Sequence, residues 1–164
     1  MFKKEIKVVD CTVRDGGLMN KWQFIEEFVR GVYEACAEAG IDYMEIGYKS
    51  SESAFSRDVV GPWKFCDEKD LRRIVGEGEP KVKLSAMADI GRIDLNDIPP
   101  KGESLISMIR VACYAHQMDK AIALAHHCMD KGYETTINLM AVSKVNEVEL
   151  DEALSDVAKS RVPI

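Results

Sequence analysis

A chain of 164 residues with 22 Lys and Arg against 28 Asp and Glu carries a formal net charge of −6 at pH 7. No basic stripe interrupts that balance, so nucleic acid is not an expected partner. The composition, 46% apolar and 30% charged, is that of a globular domain able to bury a core, with no apolar run long enough to span a bilayer.

The start, MFKKEIKVVD, has lysines but no apolar segment of signal-peptide length, and the five cysteines show no C-x-x-C spacing. A zinc ribbon or an iron–sulfur radical centre is thereby disfavoured, and reduced thiols in a cytoplasmic protein are the expectation. Residues 6–11 then read as a strand that breaks into Arg14-Asp15-Gly16-Gly17, where the chain is expected to turn. Residues 22–39 read as a helix with Phe24, Phe28, Val32 and Ala35 on its apolar face and Gly40 as its stop. A second strand is expected over 41–48, followed by a polar stretch over 49–61 too long for a turn and a short helix over 67–75. Strands over 81–88, 105–113 and 135–142 alternate with helices over 119–131 and 147–160.

Strand alternating with helix is the mark of βαβ units and a parallel sheet. Strands apolar on both faces fit a sheet covered on both sides. A dinucleotide fold needs a G-x-G-x-x-G after its first strand, and neither that nor a P-loop occurs. Charged residues at carboxyl ends of strands fit a (β/α)8 barrel instead, since chemistry sits there in that architecture. The expected fold is therefore α/β, with about five of the eight units of such a barrel, because a full one needs about 250 residues. Residues 1–164 are expected to form the amino-terminal portion of a single barrel domain, with a sixth strand starting near 162–164.

Five residues stand out as chemistry at strand ends. Asp15 offers a carboxylate to a hard divalent cation at the barrel mouth. Arg14 offers a permanent cation to an oxyanion or enolate, and Gly16-Gly17 would let a ligand approach the backbone. The alternative is a turn whose arginine and aspartate are solvated or paired with each other. Glu45, inside an apolar strand, needs a partner, and Arg14 or a metal would serve. Arg110 is the same kind of intruder in the fourth strand, and Asn138 in the fifth could orient a substrate oxygen. Salt bridges on the outer face, or a hydrogen bond within the barrel layer, are the structural alternatives for these three. His126 and His127 are adjacent on a helix and point different ways, unlike metal ligands four residues apart. His116 follows the fourth strand. Met87, Met108 and Met140 read as core filler.

The stretch DCTVRDGG resembles the first-strand signature D-x-T-L-R-D-G of the DRE-TIM metallolyases, which include 4-hydroxy-2-oxovalerate aldolase and hydroxymethylglutaryl-CoA lyase. EAGIDYMEIGY, MIRVACY and TTINLMAVS are similar to that family's second, fourth and fifth strands, and AMADIGRIDLNDIPP to the third-strand region of its aldolase-catalytic-domain branch. The resemblance implies a lyase that makes or breaks a carbon–carbon bond beside a carbonyl, through the enolate of a 2-oxo acid such as pyruvate. It implies Asp15 as a ligand of Mn2+ or Mg2+ and Arg14 and Glu45 as catalytic residues, while Arg110 and Asn138 are read as substrate-binding from their places in the strands alone. It also implies a 2-oxo acid and an aldehyde as reaction partners.

The chain departs from the family in lacking an H-x-H pair, in carrying Leu18-Met19 just after R-D-G-G, and in carrying Tyr114 where the group's aldolases have a histidine. Metal held by Asp15 alone would be weakly bound or absent, and the chain by itself is expected to be inactive or nearly so. Open sheet edges would favour self-association. The alternative reading is a non-catalytic half-barrel that binds or assembles.

Overall fold

The computed structural model describes residues 6–162. The first five residues, part of the stretch read for a targeting signal, lie outside that range, as do the last two, where a sixth strand was expected to start. Five parallel strands form one sheet in the order β1-β2-β3-β4-β5, each hydrogen-bonded to its neighbour in sequence. They are β1 (Val9–Asp10), β2 (Tyr43–Tyr48), β3 (Lys83–Asp89), β4 (Ile106–Cys113) and β5 (Glu134–Leu139). The helices are α1 (Thr12–Asn20), α2 (Glu26–Glu38), α3 (Glu68–Val75), α4 (Met118–Asp130) and α5 (Glu147–Ser160). The sheet curls into part of a (β/α)8 barrel, as the alternation of elements required.

The first unit corrects the sequence reading. The strand is only two residues long, because the Asp10 carboxylate accepts the Thr12 N–H at 3.1 Å and the Thr12 hydroxyl at 2.8 Å and turns the chain into α1. Arg14, Asp15, Gly16 and Gly17 therefore sit on a helix and not in a turn. Gly17 makes room for packing, since a Cβ there would lie 1.9 Å from the Trp22 indole. The chain leaves α1 through two left-handed residues, Lys21 (φ 60°) and Trp22 (φ 58°), a conformation costing about 1–2 kcal/mol per residue that tertiary contacts must offset.

α2 starts at Glu26, later than the apolar pattern implied, with Glu26 and Glu27 in the first turn, where the helix dipole favours negative charge. Its core stripe is Val29, Tyr33 and Cys36. Phe24 and Phe28 instead stack on each other with centroids 5.1 Å apart, and Phe28 is exposed. Gly40 (φ 69°) ends the helix as expected, and the Ile41 N–H closes on the Cys36 carbonyl at 3.0 Å.

The outer face of the sheet carries Met44, Ile46, Leu84, Ala86, Ala88, Ile109 and Val111, all buried under the helices. α4 covers it with Met118, Ala121, Leu124, Ala125 and Cys128, and α5, capped by Asn146, adds Ala153 and Val157. The strand register shifts in β2 between Glu45 and Gly47. Gly47 has no room for a side chain because the Trp63 carbonyl oxygen occupies that space, 1.9 Å from an ideal Cβ. This bulge docks the 3-10 turn Pro62–Lys64 against β2.

Candidate active site

The concave face is polar where the outer one is apolar. Its centre is Glu45, fully buried on β2. One oxygen, Oε2, accepts from Arg14 Nε at 2.8 Å, from Arg110 Nη1 at 2.9 Å and from the Cys11 thiol at 3.4 Å. The intruders of the first, second and fourth units thus meet at one atom. Two guanidiniums share this carboxylate, and Asp15, paired with Arg14, balances the second charge, so the cluster offers guanidinium N–H donors to the concave side without a surplus of charge. The other oxygen, Oε1, is buried with no hydrogen-bond partner, as are the Ser85 and Thr136 hydroxyls.

Arg14 is held from both ends. Its carbonyl accepts the Trp22 indole N–H at 3.0 Å, and Trp22 is itself pinned by the Gly61 N–H, which donates to the neighbouring Lys21 carbonyl at 2.8 Å. Burial opposes the charge of the Arg14 guanidinium, but the hydrogen bond and charge of Glu45, with smaller contributions from Cys11 and Tyr48, together outweigh it and the pKa is raised. Arg14 also ion-pairs with Asp15, whose side chain is 56% exposed. The Cys11 thiol is pushed up by burial and by the nearby Glu45 charge.

A cavity of about 520 Å³ opens beside this cluster, lined by Arg14, Tyr48, Asp89, Arg92, Tyr114 and Asn138, among others. A second, of about 460 Å³, lies toward the amino ends of the strands and is lined by Tyr43, Arg110, Glu134, Thr136 and Asn138. Asn138 and the two arginines therefore all border open space on the concave side. His116 is exposed and stacks on Tyr114, with ring centroids 5.9 Å apart. His126 and His127 lie outside the site, within hydrogen-bond reach of the Ser160 and Leu95 carbonyls. Met87 and Met108 are buried and Met140 partly so, but Met87 and Met140 line the first cavity and Met108 the second, so the three are not simply core filler.

The sequence reading missed Tyr48, Asp89 and Arg92. Strict alternation from Glu45 puts Gly47 inside and Tyr48 outside, and only the bulge reverses this. Asp89 and Arg92, paired at 3.2 Å, obey the same strand-end rule as Arg14 and were legible on that ground. Among the described residues no three His, Cys, Asp or Glu side chains converge as a cation site. The Asp15 carboxylate is moreover already engaged by a guanidinium. The residues present do not by themselves fit a divalent cation.

No family model matches the chain. Oxaloacetate decarboxylase of Mycobacterium tuberculosis is 27% identical over 141 residues, which cover 84% of this chain and 40% of that protein. A 4-hydroxy-2-oxovalerate aldolase of Thermus thermophilus is 30% identical over 118 residues, covering 68% of this chain and 32% of that one. The chain is thus similar in sequence to curated 4-hydroxy-2-oxovalerate aldolases and to an oxaloacetate decarboxylase. A 4-hydroxy-2-oxovalerate aldolase of Geobacillus genomosp. 3 shares 24% identity over 92% of this chain and 44% of its own length. The chain thus spans less than half the length of these curated relatives. A crystal structure of the amino-terminal domain of a candidate aldolase from Bacteroides vulgatus matches the fold with a TM-score of 0.68 at 24% identity, over 94% of this chain and 60% of that one. No helix among the described residues is long and apolar enough to cross a membrane.

Proposed function

We propose that residues 1–164 are the amino-terminal portion of a single barrel domain whose enzyme is an aldolase or lyase acting on a 2-oxo acid, of the 4-hydroxy-2-oxovalerate type. The observation that carries this reading is the single Glu45 oxygen shared by Arg14 and Arg110 beside an open cavity. When a carbon–carbon bond beside the 2-oxo group breaks, its electron pair moves into an enolate, and the negative charge collects on the former carbonyl oxygen. Arg14, held by Trp22 and Glu45 at the edge of the cavity, would meet that charge with its guanidinium. Glu45 keeps both guanidiniums in place. Arg110 and Asn138 bind and orient the substrate's carboxylate and keto oxygens. Asp15 is assigned as one ligand of Mn2+ or Mg2+, a cation the described residues would hold weakly or not at all on their own.

The test is deuterium entry into the methyl group of pyruvate in D2O, followed by proton NMR with Mg2+ present. Exchange is expected from the natural protein that carries the whole barrel, residues 1–164 by themselves being inactive or nearly so, and Arg14→Met in that protein should slow it by about 100-fold or more, the loss seen when an oxyanion donor is removed. Exchange no faster than in buffer would contradict the reading.

A second reading, a non-catalytic half-barrel that binds or assembles, is favoured by a different observation. Among the described residues β1 and β5 each pair on one side only, and Val8, Val148 and Leu154 are exposed at the two flanks. Open edges of this kind favour self-association, and a concentration-dependent rise in mass by sedimentation is the outcome that reading expects.

A further inference from the structure

We propose that Tyr48 is the proton donor of this site, and that the Lys64 ammonium beneath its ring is the charge that makes the transfer possible. The assignment rests on the 2-oxo acid reading and supplies the acid–base group that reading lacks. Tyr48 ends β2 and borders the cavity that Arg14 borders, although its ring is buried. Lys64 Nζ lies 3.6 Å from the centre of the Tyr48 ring, 4.1 Å from that of Trp22 and 4.4 Å from that of Phe55. Trp22 meets Tyr48 edge-on at 5.3 Å, so the same indole fixes both Tyr48 and Arg14.

Lys64 is 1% exposed, and none of the salt bridges among the described residues includes it. A buried ammonium faced by three aromatic rings and salt-bridged to no carboxylate is costly, and a methionine would fill the same space without that cost. Its charge is turned toward the Tyr48 face, where a cation stabilises negative charge developing on the ring. Burial pushes the amine down to about 8, with Asp89 opposing that shift and Arg92 adding to it. Around the phenol, burial and Asp89 raise its pKa while Arg14 on α1 lowers it, and Glu45 on β2 adds a smaller rise. The phenol is thus protonated at neutral pH, the form that can donate.

The step balances without a co-reactant. The Tyr48 O–H bond breaks, and its proton bonds to the enolate carbon through the enolate's π electron pair. The C2 carbonyl re-forms. The phenolate left behind lies over the Lys64 ammonium and beside Arg14, and takes a proton from solvent. Run backwards, the same step removes a methyl proton from pyruvate.

The test compares the natural protein with Tyr48→Phe and Lys64→Met, by deuterium entry into pyruvate and by pyruvate affinity from saturation-transfer NMR. Tyr48→Phe should slow exchange by about 100-fold or more while leaving affinity within about threefold. Lys64→Met should move the pH profile of exchange upward, because the phenolate loses its cation. Tyr48→3-fluorotyrosine keeps the hydroxyl and the packing but makes the phenol more acidic, so it should move the profile downward even if Tyr48→Phe does not fold. Exchange by Tyr48→Phe within about threefold of the natural protein, or a profile unmoved by fluorination, overturns the assignment and leaves the 2-oxo acid reading standing. No exchange by the natural protein overturns both.

Discussion

Two ionic clusters occupy the concave face at different depths. At the amino ends of the strands, Lys83 Nζ pairs with Glu134 at 2.5 Å and Glu134 accepts from the Tyr43 hydroxyl, with Lys83 and Glu134 side chains 55% and 47% exposed. One layer deeper, Glu45 is 0% exposed and holds Arg14 and Arg110 on one oxygen. The residue types are nearly the same, and water makes the difference. An exposed pair contributes about 0–1 kcal/mol, because solvent screens it and two long side chains must be ordered to form it. A buried carboxylate between two cations is not a net source of stability either, but removing it strands charge in a place where nothing else can solvate it. The upper cluster is a surface feature, and the lower one is a commitment of the fold.

The largest expected effect separates the two. Glu45→Ala should cost about 3–5 kcal/mol in urea unfolding, the penalty for leaving buried charge without its counter-ion. Glu134→Ala should cost under about 1 kcal/mol. Equal losses would erase the distinction between the clusters.

Within α1 the contrast sharpens at the two glycines. Gly17→Ala drives a Cβ to 1.9 Å from the Trp22 indole that braces Arg14, so an overpacking cost of about 1–3 kcal/mol is expected in thermal or urea melts. Gly16→Ala meets only the edge of the Phe24 ring at 3.2 Å and gains helix propensity, so it should lie within about 1 kcal/mol of the parent.

The pH dependence of stability is a smaller signal. Burial raises the Glu134 pKa, but hydrogen bonds from Lys83 and Tyr43 outweigh it, and the net shift is downward. A carboxyl whose folded pKa is depressed contributes stability that is present above its unfolded value of about 4.3 and is lost as pH falls through the folded one. Glu134→Gln should therefore lower stability at neutral pH by under about 1 kcal/mol and flatten the acid limb below about pH 4.3, so that the two proteins converge in acid. The smallest effect concerns the thiols. None of the five cysteines is disulfide-bonded, and burial pushes Cys66 and Cys128 up to about 12. Ellman's reagent at pH 8 should reach Cys11, the only half-exposed thiol, slowly, and the other four only on unfolding.

Much of this was legible in the chain. The parallel alternation follows from apolar runs and helical spacing, and α5 falls on the residues expected of it. Glu45 and Arg110 stood out because charge inside an apolar strand demands a partner. Arg14 was named as a partner for Glu45 and is one, but Arg110 joining it at the same oxygen was not legible, since periodicity gives the face of a strand but not the depth of a neighbour's side chain. Two local events were hidden. Asp10 ends β1 after two residues, which moves Arg14 and Asp15 onto a helix. The bulge at Gly47 turns Tyr48 inward, and its cause, the Trp63 carbonyl, lies sixteen residues further along the chain. Lys64 escaped notice because a lysine in GPWKFCD reads as surface until its three aromatic neighbours are brought together.

The measurement closest to the central claim is calorimetric binding of oxalate, a planar dianion shaped like the enolate of pyruvate, to the natural protein, Arg14→Met and Glu134→Ala. If the Glu45-held arginines form the anion site, oxalate binds the natural protein and Glu134→Ala alike, and Arg14→Met weakens it by about tenfold or more, the worth of one charge-assisted contact. Equal affinity for all three proteins, or equal weakening by both substitutions, would contradict the account.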